Sequence, residues 1–492
     1  MAEPMPQVEQ TKRHNGELWM ACPTLYDSAL RKMYNRNTGY DKLYPTALGA
    51  TKPTHHAAEE MNKRLIGDEW RSNEKGNMRD LVKLWEIIYK GRGWHKYAAY
   101  NLKGDANKPY ILFKAKNVTD PQVRATKIMK VRPIAPGTRH PMRRLLHLVG
   151  RAWSFVTARL EGEHFVINHG GHVAAFLSEA QQLRRLGPLS CHVWDIESCY
   201  PNMPKEAIRF GLRDMIQLIT KKHAYAGVVV PRFSDTKPCR WAMSAHTRTT
   251  RAGTHETVAE QSDKYNVVLP FEIMMDVMEF ALEYPIVRMP NGQLLRQRAG
   301  IPMGDPISPG MTIGACAWME TEWMNSLAPF DKAHFRARRY MDDIIMVTAN
   351  PPTGWDATRF RHDFEMSQCY MKPLKLEPGR QDTFLETRFC VTPSGHIRHW
   401  LKNDNEDGDR KVWRYQHFWS HAPFAQKRAT LTATLRKVQA MASDADALRA
   451  SGLNKIREFS QLQYPRAILK AACTYVAASG GERAWLDVRD TL

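Results

Sequence analysis

Arg339-Tyr340-Met341-Asp342-Asp343-Ile344-Ile345-Met346-Val347 sets two adjacent carboxylates directly before four apolar residues. An apolar run of that length reads as a strand buried on both faces. Phe335 to Tyr340 reads as its antiparallel partner, with Met341-Asp342 in the tight turn. Asp342 and Asp343 then sit at the mouth of a rigid hairpin. Paired carboxylates beside a dry sheet are costly unless a cation neutralises them, and hard oxygen ligands suit Mg²⁺. A lone Asp-Asp pair is more often a solvated surface turn. What lies upstream decides between the two.

Upstream, Leu189-Ser190-Cys191-His192-Val193-Trp194-Asp195 reads as a strand ending in a third carboxylate, with Ile196-Glu197-Ser198-Cys199-Tyr200 after it. Pro201-Asn202-Met203-Pro204 makes a turn, and Pro204 suits the first turn of a helix. Ile208, Leu212, Met215, Ile216 and Ile219 mark one face of that helix. Between the two acidic elements, Gln297 to Pro309 is a Gly/Pro-rich loop followed by a helix over Met311 to Leu327. Glycines there let the backbone come close to a base or sugar. Nearer the N-terminus, Pro109 to Phe113 and Lys127 to Ile134 read as a hairpin. It carries Lys114, Lys116, Lys127, Lys130 and Arg132. That many cations on one hairpin repel one another unless an anion lies between them. A triphosphate is the natural candidate, since arginine grips phosphate oxygens in pairs and lysine acts as a point charge.

The whole chain is basic. Its 492 residues carry 71 Lys and Arg against 51 Asp and Glu, a net charge of +20. An excess of this size points to a polyanionic partner, and nucleic acid first. The length calls for two to four sub-domains. Eight scattered cysteines form no Cys-x-x-Cys pair, which excludes a zinc ribbon and fits a reducing compartment. No apolar run is long enough to span a membrane, and Met1 to Met20 has no signal-peptide core. A soluble intracellular protein is expected, nuclear if the source is eukaryotic, with no membrane partner.

Other segments are less telling. The first 17 residues are polar and read as unstructured. Met78 to Tyr89 has helical apolar spacing. Residues 231 to 265 are rich in Arg, Thr, Ser and His and read as a long loop or insertion. Phe271 to Leu282 reads as a helix, and Tyr284 to Leu295 as a hairpin with an Asn-Gly turn. Asp382 to Val391 reads as a strand, Asn403 to Asp409 as a polar boundary, and the rest as mostly helical, Lys427 to Ala442 above all.

Asp195 and Asp342 are far apart in the chain, so only a fold brings them together. Neighbouring strands of one sheet would do it. Two carboxylates could then bridge two Mg²⁺ ions about 4 Å apart, an arrangement that activates a 3′-hydroxyl and stabilises a pyrophosphate leaving group. Positioning and charge neutralisation carry most of phosphoryl transfer, so few other groups are needed.

In this order the pieces resemble the reverse transcriptases, most of all the Penelope-like class, relatives of telomerase. The likeness covers roughly residues 110 to 475. Lys130-Val131-Arg132-Pro133-Ile134 resembles the fingers motif, Asp195 to Pro204 motif A, and Gln297 with Gly300 to Pro309 motif B. Tyr340-Met341-Asp342-Asp343 resembles motif C. Lys372 to Glu377 and Thr383 to Glu386 are similar to motifs D and E, and His421 to Lys427 with Tyr464-Pro465 looks Penelope-like. Where many reverse transcriptases have Gln-Gly in the loop, this chain has Met303-Gly304, as Penelope-like enzymes do. The GIY-YIG nuclease of many Penelope-like proteins has no room before Leu492, and no RNase H motif set is evident, so target cleavage is not expected.

The resemblance implies an α+β right-hand polymerase with fingers, palm and helical thumb, the palm an antiparallel sheet backed by helices. The expected divisions are a basic N-terminal extension (1–95), fingers (96–190), palm (191–400, with an insertion at about 225–270) and thumb (401–492). The activity implied is RNA-directed DNA polymerisation. An RNA template, a DNA or RNA primer and deoxynucleoside triphosphates would be the partners, and two Mg²⁺ or Mn²⁺ ions the cofactor. Asp195, Asp342 and the Ile196 carbonyl would be metal ligands, with Asp343 beside them. Arg132, Lys130 and Lys116 would meet the triphosphate. Gln297, Pro302 and Gly304 would line the nucleotide pocket, and Lys372 or Lys375 would be the general acid. Tyr200 would wall the sugar pocket against a 2′-hydroxyl. The rivals are an RNA-dependent RNA polymerase, disfavoured by Tyr200, and a basic RNA-binding protein with an inactive palm, disfavoured by the intact aspartates.

Overall fold

The hairpin read from the sequence forms and lies within a four-stranded antiparallel sheet. In spatial order the strands are Phe335–Tyr340, Asp343–Ala349, Leu189–Ile196 and Leu376–Pro378. The structure is a computed structural model. It describes residues 7–10, 18–21, 23–35, 39–43, 52–63, 77–113, 131–233, 237–243, 246–249, 255–258, 262–352, 354–366, 369–403 and 414–492.

The run Ile344 to Val347 is apolar throughout because both of its faces are covered. Ile344 and Met346 join Trp194 and Ile196 in a large core with the helices Arg143–Thr157, Lys205–Lys222 and Ser308–Ser326. Ile345 and Val347 join Leu189 and Val193 in a second core on the other face. The helix His172–Ala180 and the rings of Phe384 and Phe389 close that core. All four residues of the run are fully buried, each worth roughly 1.5–3 kcal/mol. The chain therefore has no choice of register here, since a slip of one residue would carry Asp343 into a core.

The other elements follow from similar local rules. The loop helix begins at Ser308 with Pro309 in its first turn, where a missing N–H costs nothing. The helix Met78–Gly91 starts from a capping box made by Asn77 and Asp80. Its Leu81, Trp85 and Ile88 are buried in the same core as Trp153 and Phe280. Tyr40–Leu43 adds a third strand to the hairpin formed by Ile286–Arg288 and Leu294–Gln297. Residues ahead of 95 thus contribute to the body of the protein. The first 17 residues read as unstructured, yet within them Gln7–Gln10 forms a strand that pairs with Leu18–Ala21.

Two further stretches differ from their sequence reading. Residues 231 to 265 were expected as a long loop, yet Tyr225–Pro231, Arg240–Met243 and Asn266–Pro270 form a three-stranded sheet around it. His246–Thr249 and His255–Val258 pair as a further hairpin. Threonine and β-branched content favours strands even where apolar residues are few. Asp382 to Val391, expected as one strand, is two short ones, Thr383–Phe384 and Thr387–Val391, with Leu385 at φ 53° between them.

The C-terminal helices Phe424–Met441, Ala445–Gln461, Arg466–Gly480 and Ala484–Asp490 close around their own core of Leu431, Leu435, Phe459, Val476 and Trp485. The seven described cysteines are free. No helix among the described residues is long and apolar enough to cross a membrane. The layout is α+β, as expected from the sequence: an antiparallel sheet backed by helices, the hairpin of Tyr110–Phe113 and Val131–Ile134 meeting the Gly/Pro loop, and a C-terminal group of helices around a core of their own.

Candidate active site

Strand register brings the acidic residues together. Asp343 pairs with Tyr340 across the hairpin and with Asp195 on the neighbouring strand. Directly paired residues of antiparallel strands share a face, with Cβ atoms roughly 4.5–5.5 Å apart. Asp195 and Asp343 are therefore side by side and half-buried. Asp342 lies in the two-residue turn, and its carbonyl accepts a hydrogen bond from Ile196 N–H at 2.9 Å. On the far side of Asp195 the edge strand sets Glu377 in the same row. Glu197 N–H donates to the Lys375 carbonyl at 2.8 Å, which fixes that edge.

Like charges directly opposite one another destabilise a sheet unless a cation lies between them. Mg²⁺ is commonly held by one or two carboxylates, with substrate phosphates and water completing its shell. Asp195 and Asp343 in register, with Asp342 next to them, suit that open kind of site. Among the described residues no three His, Cys, Asp or Glu side chains gather into a metal site.

The motif A turn and the Gly/Pro loop lock onto each other. Ile301 N–H donates to the Tyr200 carbonyl at 2.9 Å. Gly300 has φ 66°, and a Cβ there would stand 2.2 Å from the Pro201 carbonyl oxygen, so only glycine fits. Gly304, at φ 108°, lies against Ile134 and Pro136 at the base of the fingers hairpin. Ala135 N–H donates to the Met303 carbonyl at 2.8 Å. Pro302 offers its carbonyl to the Ser308 hydroxyl at 2.7 Å. Gln297 is buried, and its Nε2 donates to the Ala299 carbonyl at 2.9 Å. Its Oε1 is buried with no hydrogen-bond partner among the described residues. A buried acceptor left in that state is costly, and a bound group could relieve it.

Tyr200 packs part of its ring against the large core. Burial, and then the nearby Cys199 and Asp342, push its phenol above the ordinary range, so it stays neutral. Arg132 pairs with Leu112 in the fingers hairpin and is half-buried. Lys114, Lys116, Lys127 and Lys130 lie outside the described residues. Lys375 is exposed beside the edge strand. Lys372 is exposed too, and lines a cavity with Trp318, Trp323, Tyr370 and Met371. The two candidate acids thus face different surroundings.

Two features escaped the sequence reading. One is the ion pair of Arg339 with Glu320, both fully buried beneath the hairpin. The other is Asp305, buried in the Gly/Pro loop with its Oδ1 accepting from Ile307 N–H at 3.0 Å. Burial pushes the Asp305 carboxyl up to about 6 from its ordinary 3.8. A carboxyl raised on folding lends stability below its unfolded value, and that stability is lost as pH rises through the folded one. The loss between about pH 4 and 6 comes to about 3 kcal/mol. Asp305→Asn is expected to flatten the thermal midpoint across that window, and a variant that keeps the wild-type slope would refute the assignment.

No protein-family model matches the chain, and no curated protein matches it. Several solved structures are similar. One is the telomerase of Candida albicans in complex with a TWJ fragment of telomeric RNA, at 12% identity and a TM-score of 0.49, covering 83% of this chain and 65% of that one. Another is the apo telomerase of Candida tropicalis, at 12% and 0.41, covering 97% and 65%. A third is the Sicinivirus 3Dpol RNA-dependent RNA polymerase, at 9% and 0.39, covering 78% and 68%. The chain therefore spans 65% of the length of each of these two telomerase chains.

Proposed function

We propose that the chain is an RNA-directed DNA polymerase of the Penelope-like kind that extends a primer 3′-end with deoxynucleotides on an RNA template. The observation that carries this reading is the register: Asp195 lies opposite Asp343, and the backbone of Asp342 is tied to the Asp195 strand. Asp195, Asp342 and the Ile196 carbonyl would hold two Mg²⁺ or Mn²⁺ ions. Bound there, the ions would lower the pKa of the primer hydroxyl and neutralise charge on the leaving pyrophosphate.

The remaining work falls to side chains and backbone. Arg132, with Lys130 and Lys116, would orient the triphosphate by charge and paired hydrogen bonds. The Gly/Pro loop would support the base pair: Gln297 offers a buried acceptor, and Pro302 and Gly304 let the backbone approach closely. Tyr200 would exclude a 2′-hydroxyl by its ring. Lys375 or Lys372 would donate a proton to the departing pyrophosphate. The excess of 20 positive charges would hold the template–primer duplex through its phosphates.

Extension of oligo(dT) on poly(rA), run in parallel with deoxy- and ribonucleotides and with Mg²⁺ or EDTA, tests the proposal. Products with deoxynucleotides that depend on the ion are expected. Ribonucleotide products of equal yield would favour an RNA polymerase, and no product on any template–primer would leave a binding protein.

A further inference from the structure

We propose that the buried pair Arg339–Glu320 is a positioning device that fixes the aspartate-bearing turn by gripping its backbone. The inference rests on the polymerase reading above. Arg339 lies on the inward face of the lead-in strand, after Phe335 and Ala337. Its Nε and Nη2 are turned to Glu320, the latter reaching Oε2 at 3.3 Å. The remaining nitrogen, Nη1, donates to the Met341 carbonyl at 2.8 Å.

Met341 needs that support. It is the first central residue of the turn and has φ 57°, a position where primed hairpin turns favour glycine. A methionine holds such a conformation only where its surroundings over-determine it. The next carbonyl, of Asp342, is taken by Ile196 N–H at 2.9 Å. Both carbonyls of the turn are thus pinned, one by the ion pair and one by the Asp195 strand, and the direction of the Asp342 side chain follows from them.

Glu320 is itself held on several sides. Its Oε2 accepts from Phe165 N–H at 3.0 Å and its Oε1 from the Tyr370 hydroxyl at 2.9 Å. The backbone of Arg339 is tied to the same segment: its N–H donates to the Phe165 carbonyl at 2.5 Å, and its carbonyl accepts from Ile167 N–H at 2.9 Å. Because Glu320 belongs to the helix that starts at the Gly/Pro loop, the pair couples the loop helix to the aspartate turn. Stability alone is a poor reason for such a pair, since desolvation offsets most of the attraction. Precise placement of a carboxylate is a better one, because a shift of about 1 Å can cost a hundredfold in rate.

Arg339→Lys keeps the charge but loses the fork that reaches both Glu320 and Met341. It is expected to lower kcat about tenfold or more, leave the KM for deoxynucleotide within about twofold, and raise the Mg²⁺ concentration for half-maximal rate. The double variant Arg339→Met with Glu320→Met replaces the pair by apolar groups. It is expected to regain part, but not all, of the thermal midpoint lost in Arg339→Met alone, because the Phe165 N–H and the Tyr370 hydroxyl lose their acceptor, while its kcat stays about tenfold low. A double variant whose activity returns with its stability would overturn the inference, as would a folded Arg339→Lys enzyme with wild-type kcat. If the arginine variants do not fold, Tyr370→Phe carries the test, with kcat about threefold lower at an unchanged midpoint expected and an unchanged kcat overturning it. A wild-type chain that extends no primer would instead sink the polymerase reading, and this inference with it.

Discussion

Asp342→Asn is expected to extend a primer about a thousandfold more slowly than the wild-type chain, a loss of about 4 kcal/mol of transition-state stabilisation. Asparagine has the same shape, so what it removes is the charge. The turn itself does not depend on that charge. It is built from the Asp342 carbonyl bound to Ile196 N–H, the Met341 carbonyl bound to Arg339, and the ladder from Tyr340 to Phe335. None of these contacts uses the Asp342 side chain. The thermal midpoint and the affinity for a template–primer duplex are therefore expected to stay within error of wild type, the latter because duplex affinity comes from phosphate contacts across the protein. Asp195→Asn is expected to fail in the same way from the adjacent strand. Primer extension by Asp342→Asn at a tenth of the wild-type rate or better would remove Asp342 from the reaction, and undiminished extension by the wild type in EDTA would remove the ions.

The acidic hairpin was readable because two periods agreed. Four apolar residues after Asp343 demand burial on both faces, and only an inner strand supplies that. Gly300, Pro302, Gly304 and Pro309 likewise announced an irregular loop before a helix. Residues 231 to 265 read as loop because the strand Arg240–Met243 is only four residues long and buries Ala242 alone, too little to set a period. Glu377 entered only as the end of the stretch similar to motif D, since nothing local says which strand will border Asp195. The Arg339–Glu320 pair was half-legible. Strict alternation from Phe335 and Ala337 already put Arg339 inside. A buried arginine demands a carboxylate, and Glu320 stands one helical turn from buried Cys316 and Trp323. Choosing that partner over other acids needed the fold, because pairing across such a distance leaves no local trace.

Tyr200→Ala is expected to lower the preference for deoxy- over ribonucleotides about thirty- to a hundredfold, with extension on deoxynucleotides kept. The ring is held in place by its backbone. Ser198 turns the chain at φ 47°, the Tyr200 carbonyl is bound by Ile301 N–H, and Gly300 sits too close to Pro201 for the loop to slide. With its base fixed and one side against the core, the ring cannot swing aside for a bulkier sugar. A ribonucleotide would then bury its 2′-hydroxyl against carbon with no partner, a penalty of about 1–3 kcal/mol and so up to about a hundredfold in kcat/KM. Alanine removes the wall and lets water or protein solvate the hydroxyl. Tyr200→Phe separates shape from hydrogen bonding. It keeps the ring and loses only a phenol that burial already holds neutral, so wild-type discrimination is expected of it. The measurement is the ratio of kcat/KM for matched deoxy- and ribonucleoside triphosphates in all three proteins. An unchanged ratio in the alanine variant would mean that the sugar is read elsewhere. A phenylalanine variant as permissive as alanine would mean that the phenol, and not the ring, does the reading.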